Sequence, residues 1–278
     1  MDETIRFAHL SDLHVRIDHS KSGLKSIFCN LRNPNSNLKD VLKQLGKYEL
    51  DFIIISGDLV HEGNLDDYKY LKEVLDTNSP KVPVLLAVGN HDRKDNFKDV
   101  FFNGKTNSKT YYSTVIKGLR IIVLDSALPG KTGGFIGKEQ LAFLKDILSS
   151  PAAKGSILVC HHPLIWDPSF LSIENSGEVL MTISGSDIRG IFCGHTHFNK
   201  ATAFHGIIQS TAESLAFGFD YDIKNIFFSD RCGFNLCSVD KTKIAVHYEN
   251  LKPKTKIIKA VSLDSLKCVL KQNITEIQ

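Results

Sequence analysis

Long hydrophobic runs are missing from this sequence: no segment approaches the ~20 apolar residues of a membrane span, so no membrane partner is expected. The opening MDETIRFAHLSD carries acidic residues where a secretory leader needs positive charge, and no long apolar stretch follows. The six cysteines are scattered without a CxxC pair, and Cys160 and Cys193 sit inside apolar runs, which excludes a disulfide framework and fits a reducing cytoplasm. Charge of one sign is also lacking. The 34 Lys and Arg against 31 Asp and Glu leave a formal net charge of +3, too little to argue for nucleic acid or a membrane surface as partner. Residues 240–278 lean basic but show no aromatic interleaving and no dense cluster, which reads as a solvated edge. There is no internal repeat and no low-complexity tract. What remains, at 42% apolar, 23% charged and eight prolines, is an ordinary globular composition able to bury a sizeable core.

Against that background, five short polar pieces stand out, each at the end of an apolar run: SDLH at 11–14, SGD at 56–58, GNHD at 89–92, HHP at 161–163 and GHTH at 194–197. The runs that feed them are IRFAHL at 5–10, DFIIIS at 51–56, VPVLLAV at 82–88, SILVC at 156–160 and DIRGIFC at 187–193. These read as buried strands. Helical spacing links Leu38, Val41, Leu42 and Leu45, and again Leu65, Tyr68, Leu71, Val74 and Leu75. A polar and aromatic helix or loop covers 93–108, and β-rich runs at 110–118 and 119–126 pivot on Gly118. Leu141, Leu144, Ile147 and Leu148 mark another helix, with a weaker one around 174–184. Residues 15–36, and the NPNSN at 33–37, read as loop and turn.

This order predicts an α/β fold: strand, helix, strand, helix, strand, with near-continuous apolar strands covered on both faces. The right-handed crossover rule puts the strand ends on one side, where open α/β sheets bind ligands. The short strands after residue 200 are expected to form a second sheet packed on the first. Residues 12 and 197 must meet in space, so 1–278 is read as a single domain, with 240–278 either part of it or a β-rich extension.

The residue types point to a metal centre. Asp12 and His14 lie two apart past a strand, as do His195 and His197, so a compact turn can aim both members of each pair at one ion. In the expected arrangement Asp12, His14 and His197 hold one metal, Asn90, His161 and His195 hold a second, and Asp58 bridges them. Two carboxylates against two ions leave the centre positive, and Asn90 ligates without reducing that charge. A bridging hydroxide is the natural nucleophile. His91 is assigned to the phosphoryl oxygen or the leaving alcohol, with Asp92 either orienting the His91 ring or capping a helix that starts near 93. Mixed imidazole, carboxylate and amide donors suit Mn, Fe, Zn, Co or Ni, so the expected cofactor is two divalent or mixed-valence transition-metal ions, Mn, Fe or Zn foremost.

At these residues the chain resembles the calcineurin-like metallophosphoesterase superfamily, whose DxH, GD, GNH followed by Asp or Glu, His, and GHxH are all matched within residues 5–210. The resemblance implies a four-layer α/β/β/α sandwich of two mixed β-sheets flanked by helices, with a dinuclear centre at the strand ends. It also implies that His161, rather than His162, is the ligand of the HHP segment. A narrower similarity is to the class III cyclic-nucleotide phosphodiesterases and glycerophosphodiester hydrolases, carried by VLDSALPGKTGGFIGKEQLAFLKDIL at 123–148 and by HHP. Phe143 stands where that branch often has Trp, and GDLVHEG departs from its usual GDLT or GDLS.

The function implied is hydrolysis of a small phosphodiester, a 3′,5′-cyclic nucleotide being one candidate. The rivals are a broad phosphomonoesterase on the same metals and a non-enzymatic protein-binding scaffold. Substrate-facing positions are expected at His61, His162, Trp166 and Phe170, the last two forming either a platform for a base or a local hydrophobic cluster. The expected partner is a small phosphoester, and the chain is a monomer or a homodimer.

Overall fold

Side chains in a strand alternate between faces, and here both faces of the central strands are apolar, so each strand feeds two cores at once. In the computed structural model, which describes residues 4–104, 108–222, 224–252 and 254–262, the strands and helices run as follows. The first part holds β1 (Ile5–Leu10), α1 (Lys25–Phe28), α2 (Pro34–Leu45), β2 (Phe52–Ser56), α3 (Leu65–Asn78), β3 (Val84–Ala87) and α4 (Lys94–Phe101). The middle holds β4 (Tyr112–Ile116), β5 (Leu119–Val123), α5 (Lys138–Ile147), β6 (Ser156–Val159), α6 (Ser176–Ile183) and β7 (Ile188–Cys193). Strands alone follow: β8 (Lys200–Phe204), β9 (Ile207–Thr211), β10 (Gly218–Tyr221), β11 (Asn225–Ser229), β12 (Gly233–Val239), β13 (Ile244–Asn250) and β14 (Ile257–Ser262).

Two large mixed sheets result. The first has order β13-β12-β1-β2-β3, with β1, β2 and β3 parallel and β12 antiparallel to β1. The second has order β4-β5-β6-β7-β9-β8, with β5, β6, β7 and β9 parallel and an antiparallel strand at each edge. Between the sheets lie Phe7, Phe52, Ile54, Ile121, Val123, Ile157, Val159 and Phe192. Phe7 stacks on Phe52 at 4.7 Å and meets Phe192 edge-on at 5.1 Å. The alternate residues Ala8, Leu10, Ile53 and Ile55 pack outward against Leu38, Leu42, Leu71 and Phe97 of α2, α3 and α4. On the far side Ile122, Leu158 and Ile191 pack against Leu144, Val179 and Ile183 of α5 and α6. Helices, sheet, sheet, helices are thus the four layers of an α/β/β/α sandwich. Among the described residues no helix is long and apolar enough to cross a membrane.

Two expectations need correction. The strands after residue 200 do not build the second sheet. β8 and β9 extend it, β12 and β13 extend the first, and β10, β11 and β14 make a separate three-stranded sheet. The core of the second sheet is β5, β6 and β7, whose parallel pairing needs the α5 and α6 crossovers between them. Nor is 15–36 all loop: it contains a 3₁₀ turn (His19–Lys21), α1 and the start of α2. The NPNSN stretch is a helix start, with the Asn33 side chain accepting from Asn35 N–H and Pro34 in the first turn, where its missing N–H costs nothing. The β4/β5 hairpin does pivot where expected, with Lys117 and Gly118 both at positive φ (50° and 85°), the two-residue turn whose twist matches the strands. In 240–278, β13 is an edge strand of the first sheet and β14 pairs with β11, while 263–278 lie outside the described residues.

Candidate metal centre

β1, β2 and β3 end on the same side as β5, β6 and β7, and the residues just beyond those ends converge. Asp12 and His14 follow β1, Asp58 follows β2, Asn90 and His91 follow β3, His161 follows β6, and His195 and His197 follow β7. Five of the seven candidate ligands hold their backbone in the left-handed region: Asp12 (φ 49°), His14 (44°), Asp58 (49°), His195 (68°) and His197 (49°). That conformation costs an L-residue roughly 1–2 kcal/mol. Such strain persists only where the surroundings impose it, and it gathers at functional sites. Gly194 is required by close approach, because a Cβ there would overlap Ser11 Oγ and press on Asp12 Oδ2.

Main-chain groups hold the donors in position. Asp12 accepts from His195 N–H at 3.0 Å through Oδ2, and Asp58 accepts from His91 N–H at 2.9 Å through Oδ1. His161 Nδ1–H donates to Ser56 O at 2.8 Å, and His197 Nδ1–H donates to Phe217 O at 2.7 Å. Because a carbonyl can only accept, the Nε2 atoms of neutral His161 and His197 are left bare. His197 Nε2 then faces Asp12 Oδ1 and His14 Nε2, each at 3.2 Å. His161 Nε2 lies 3.4 Å from Asp58 Oδ2 and 3.1 Å from Asn90 Oδ1, which is itself 3.0 Å from His195 Nδ1. Acceptor atoms thus point at acceptor atoms in a buried space, an arrangement that a cation or a proton must occupy. The donor set fits transition-metal ions: the ligand atoms of Asp12, His14 and His197 lie within 4.8 Å of one another, as do those of Asp12, Asp58 and His161.

The electrostatics carry the same signature. Burial opposes charge on Asp58, yet His161 and His91 hold its carboxyl well below the usual range. Burial likewise opposes charge on His161, but Asp58 and Asp12 outweigh it and push the imidazole up to about 10. Burial, with neighbouring histidines, drives His14 and His195 down instead. The proton that Asp58 and Asp12 hold on His161 stands where positive charge is wanted.

His91 lies beside the cluster, its ring edge-on to His14 at 4.8 Å, and its Nδ1–H donates to His61 O at 2.6 Å. Asp92 does neither job expected of it. Its carboxylate accepts from Leu59 N–H, Val60 N–H, Gly89 N–H and the Tyr68 hydroxyl, lacing the Asp58 loop to the Asn90 loop. Burial and Asp58 push it up to about 6. α4 is preceded by Arg93 without a side-chain cap. His61 and His162 are buried with both ring nitrogens engaged: His61 with Ser22 and His14, His162 with Ser126 Oγ at 2.8 Å and Thr132 O at 2.9 Å. Neither ring is open to a substrate. Trp166 packs edge-on to Phe198, one residue past His197, with Lys200 over its ring, whereas Phe170 is 71% exposed on a 3₁₀ turn. The acceptors Ser56 O, His61 O and Phe217 O had no signal in the sequence, since every residue carries the same carbonyl.

The sequence profile of calcineurin-like phosphoesterases matches residues 5–199. A probable cyclic nucleotide phosphodiesterase of Rhodococcus erythropolis is 32% identical over 63% of this chain and 60% of its own length, so the match spans less than two thirds of that relative. A cAMP/cGMP dual specificity phosphodiesterase of Mycobacterium tuberculosis is 30% identical over 76% of this chain and 69% of its own. Among solved structures, a dimetal phosphatase from Danio rerio superposes with a TM-score of 0.62 at 13% identity, covering 87% of this chain and 98% of that one, which is a likeness of fold. With the two-sheet sandwich and the buried His and Asp cluster, the profile match shows that the chain belongs to the calcineurin-like phosphoesterase family of metal-dependent phosphoric ester hydrolases.

Proposed function

We propose that the protein is a dinuclear metal-dependent phosphodiesterase acting on a small phosphodiester, with 3′,5′-cyclic nucleotides the first class to test. Asp12, His14 and His197 would hold one ion and Asn90, His161 and His195 the other, with Asp58 shared between the two sets. Mn, Fe or Zn ions held there would supply positive charge for the phosphoryl oxygens and acidify water. The observation that carries the reading is the donor set: of seven converging side chains only Asp12 and Asp58 are anionic, so the loaded centre stays positive and attracts an anion.

His91 contributes a directed proton. Its Nδ1–H is committed to the His61 carbonyl, so Nε2 is the atom left to meet a phosphoryl oxygen or, when protonated, to donate to the leaving alcohol. The adjoining cavity, about 670 Å³, is lined by Asn90, His91, Arg93 and Lys94. Lys94 Nζ is taken by Asp125 at 2.7 Å and Ala127 O at 2.8 Å, so Arg93 is the other cation of that lining. Diester over monoester is supported by the names of the relatives.

The test is turnover after reconstitution with Mn²⁺, comparing bis(p-nitrophenyl) phosphate, p-nitrophenyl phosphate and 3′,5′-cyclic AMP. Faster diester turnover is expected. Faster monoester turnover overturns the substrate class and leaves the metal centre standing.

A further inference from the structure

His161 and His197 owe their bare Nε2 atoms to main-chain carbonyls, which accept and cannot donate. His14 is held differently. Its Nδ1 lies 3.2 Å from His61 Nδ1, and His61 Nε2 lies 2.8 Å from Ser22 Oγ, which also accepts Leu24 N–H at 2.9 Å. An imidazole and a hydroxyl can each donate or accept, so the chain from Ser22 to His14 admits two proton arrangements. In one, His14 Nδ1–H donates to His61 Nδ1, His61 Nε2–H donates to Ser22 Oγ, and His14 Nε2 is bare. In the other every proton is reversed, and His14 carries its hydrogen on Nε2, the atom that faces His197 Nε2 at 3.2 Å and Asp58 at 3.8 Å. Only the first lets His14 ligate.

We propose that His61 is a positioning residue that holds His14 in its Nδ1–H form, and that Ser22 completes the relay. The segment leading into α1 is thereby wired to the metal centre. A second tie runs the same way, since His19 Nε2 lies 3.1 Å from His14 O. The three groups come from different places in the fold: His14 from the end of β1, His61 from the loop after β2, and Ser22 from the segment between β1 and α1. The inference rests on the reading of His14 as a ligand.

Two substitutions separate the acceptor from the volume. His61→Leu fills the space without an acceptor, whereas His61→Asn places an amide oxygen where Nδ1 was. Both keep the His61 carbonyl that holds His91, so any loss through that bond is common to the two. The readout is the dissociation constant for Mn²⁺, by titration of the stripped, folded protein, together with ¹⁵N spectra of the Zn²⁺-loaded wild type to identify ring tautomers. His61→Leu is expected to weaken Mn²⁺ binding about 10- to 100-fold, as loss of an orienting partner does elsewhere. His61→Asn is expected to recover most of it, and His14 to show Nδ1–H with His61 showing Nε2–H. Tight binding by both variants overturns the inference with the metal centre intact. Equal weakness in both assigns the effect to packing and overturns it too. If His61→Leu fails to fold, an Nδ1–H on His61 in the wild type is the overturning result. A wild type that binds no Mn²⁺ removes the metal reading itself, and this inference with it.

Discussion

His14 Nε2 and His197 Nε2 face each other at 3.2 Å across a separation of 183 residues, and His197 has already committed its Nδ1–H to Phe217 O. With His14 in its Nδ1–H form, two lone pairs face each other in a buried space and destabilise the ion-free protein. An ion between them should therefore bind the folded chain and not the unfolded one. Chelation is expected to lower Tm by about 5 °C or more, and excess Mn²⁺ to restore it. Differential scanning fluorimetry reads this directly; identical curves with and without chelator count against the site.

Asp58 and His91 separate metal holding from catalysis. Asp58 Oδ2 is shared between His161 at 3.4 Å and His14 at 3.8 Å, so Asp58→Asn should reduce the content of both ions. His91 meets the cluster through its backbone N–H and the edge of its ring. His91→Ala should keep both ions and lower kcat by roughly 10²- to 10⁴-fold. Elemental analysis beside kinetics decides it, and equal metal loss in the two variants would defeat the separation.

Metal loading should weaken as pH falls. In the ion-free protein the His161 imidazole is pushed up to about 10 by Asp58 and Asp12. Below that pH the ion must expel a proton, so its apparent affinity drops by up to about tenfold for each pH unit of acidification. Mn²⁺ titrations at ~pH 6.5 and ~pH 8.5 test the sign, and buffers of different ionisation enthalpy count the proton released. Flat affinity across that range would mean His161 enters the site neutral.

Gly194 and Gly177 should respond oppositely to alanine. At Gly194 the added methyl meets Ser11 Oγ and Asp12 Oδ2, so Gly194→Ala should displace a ligand and cost both stability and metal. Gly177, in the first turn of α6, has nothing within 4 Å of a built Cβ and carries no positive φ. Gly177→Ala should stabilise the protein by about 0.5–1 kcal/mol through helix propensity and reduced unfolded-state entropy. Denaturant midpoints measure both, and a destabilised Gly177→Ala would show that this face of α6 is more crowded than its contacts indicate.

What the sequence by itself determined was local. Apolar runs closed by SDLH, SGD, GNHD, HHP and GHTH mark strands and the donors beyond their ends, because burial of a strand and the chemistry of the next few residues are both written in residue types. Helix spacing marked α2 and α3 for the same reason, and Asn33-Pro34 could have been read as a cap and first turn instead of a bend. Tertiary structure alone decided the rest. The pairing of β12 with β1 joins residues 235–239 to 5–9, and no local pattern selects that partner over β5 or β9. Asp92 lies beside His91 in sequence, yet its carboxylate is consumed by four donors from β-strand ends and α3. His61 and His162, expected to face substrate, are turned inward by Ser22, His14, Ser126 and Thr132. The tautomers that make His161 and His197 fit as ligands depend on two main-chain carbonyls. A carbonyl is the same in every residue, so only the folded chain could show which ones face an imidazole.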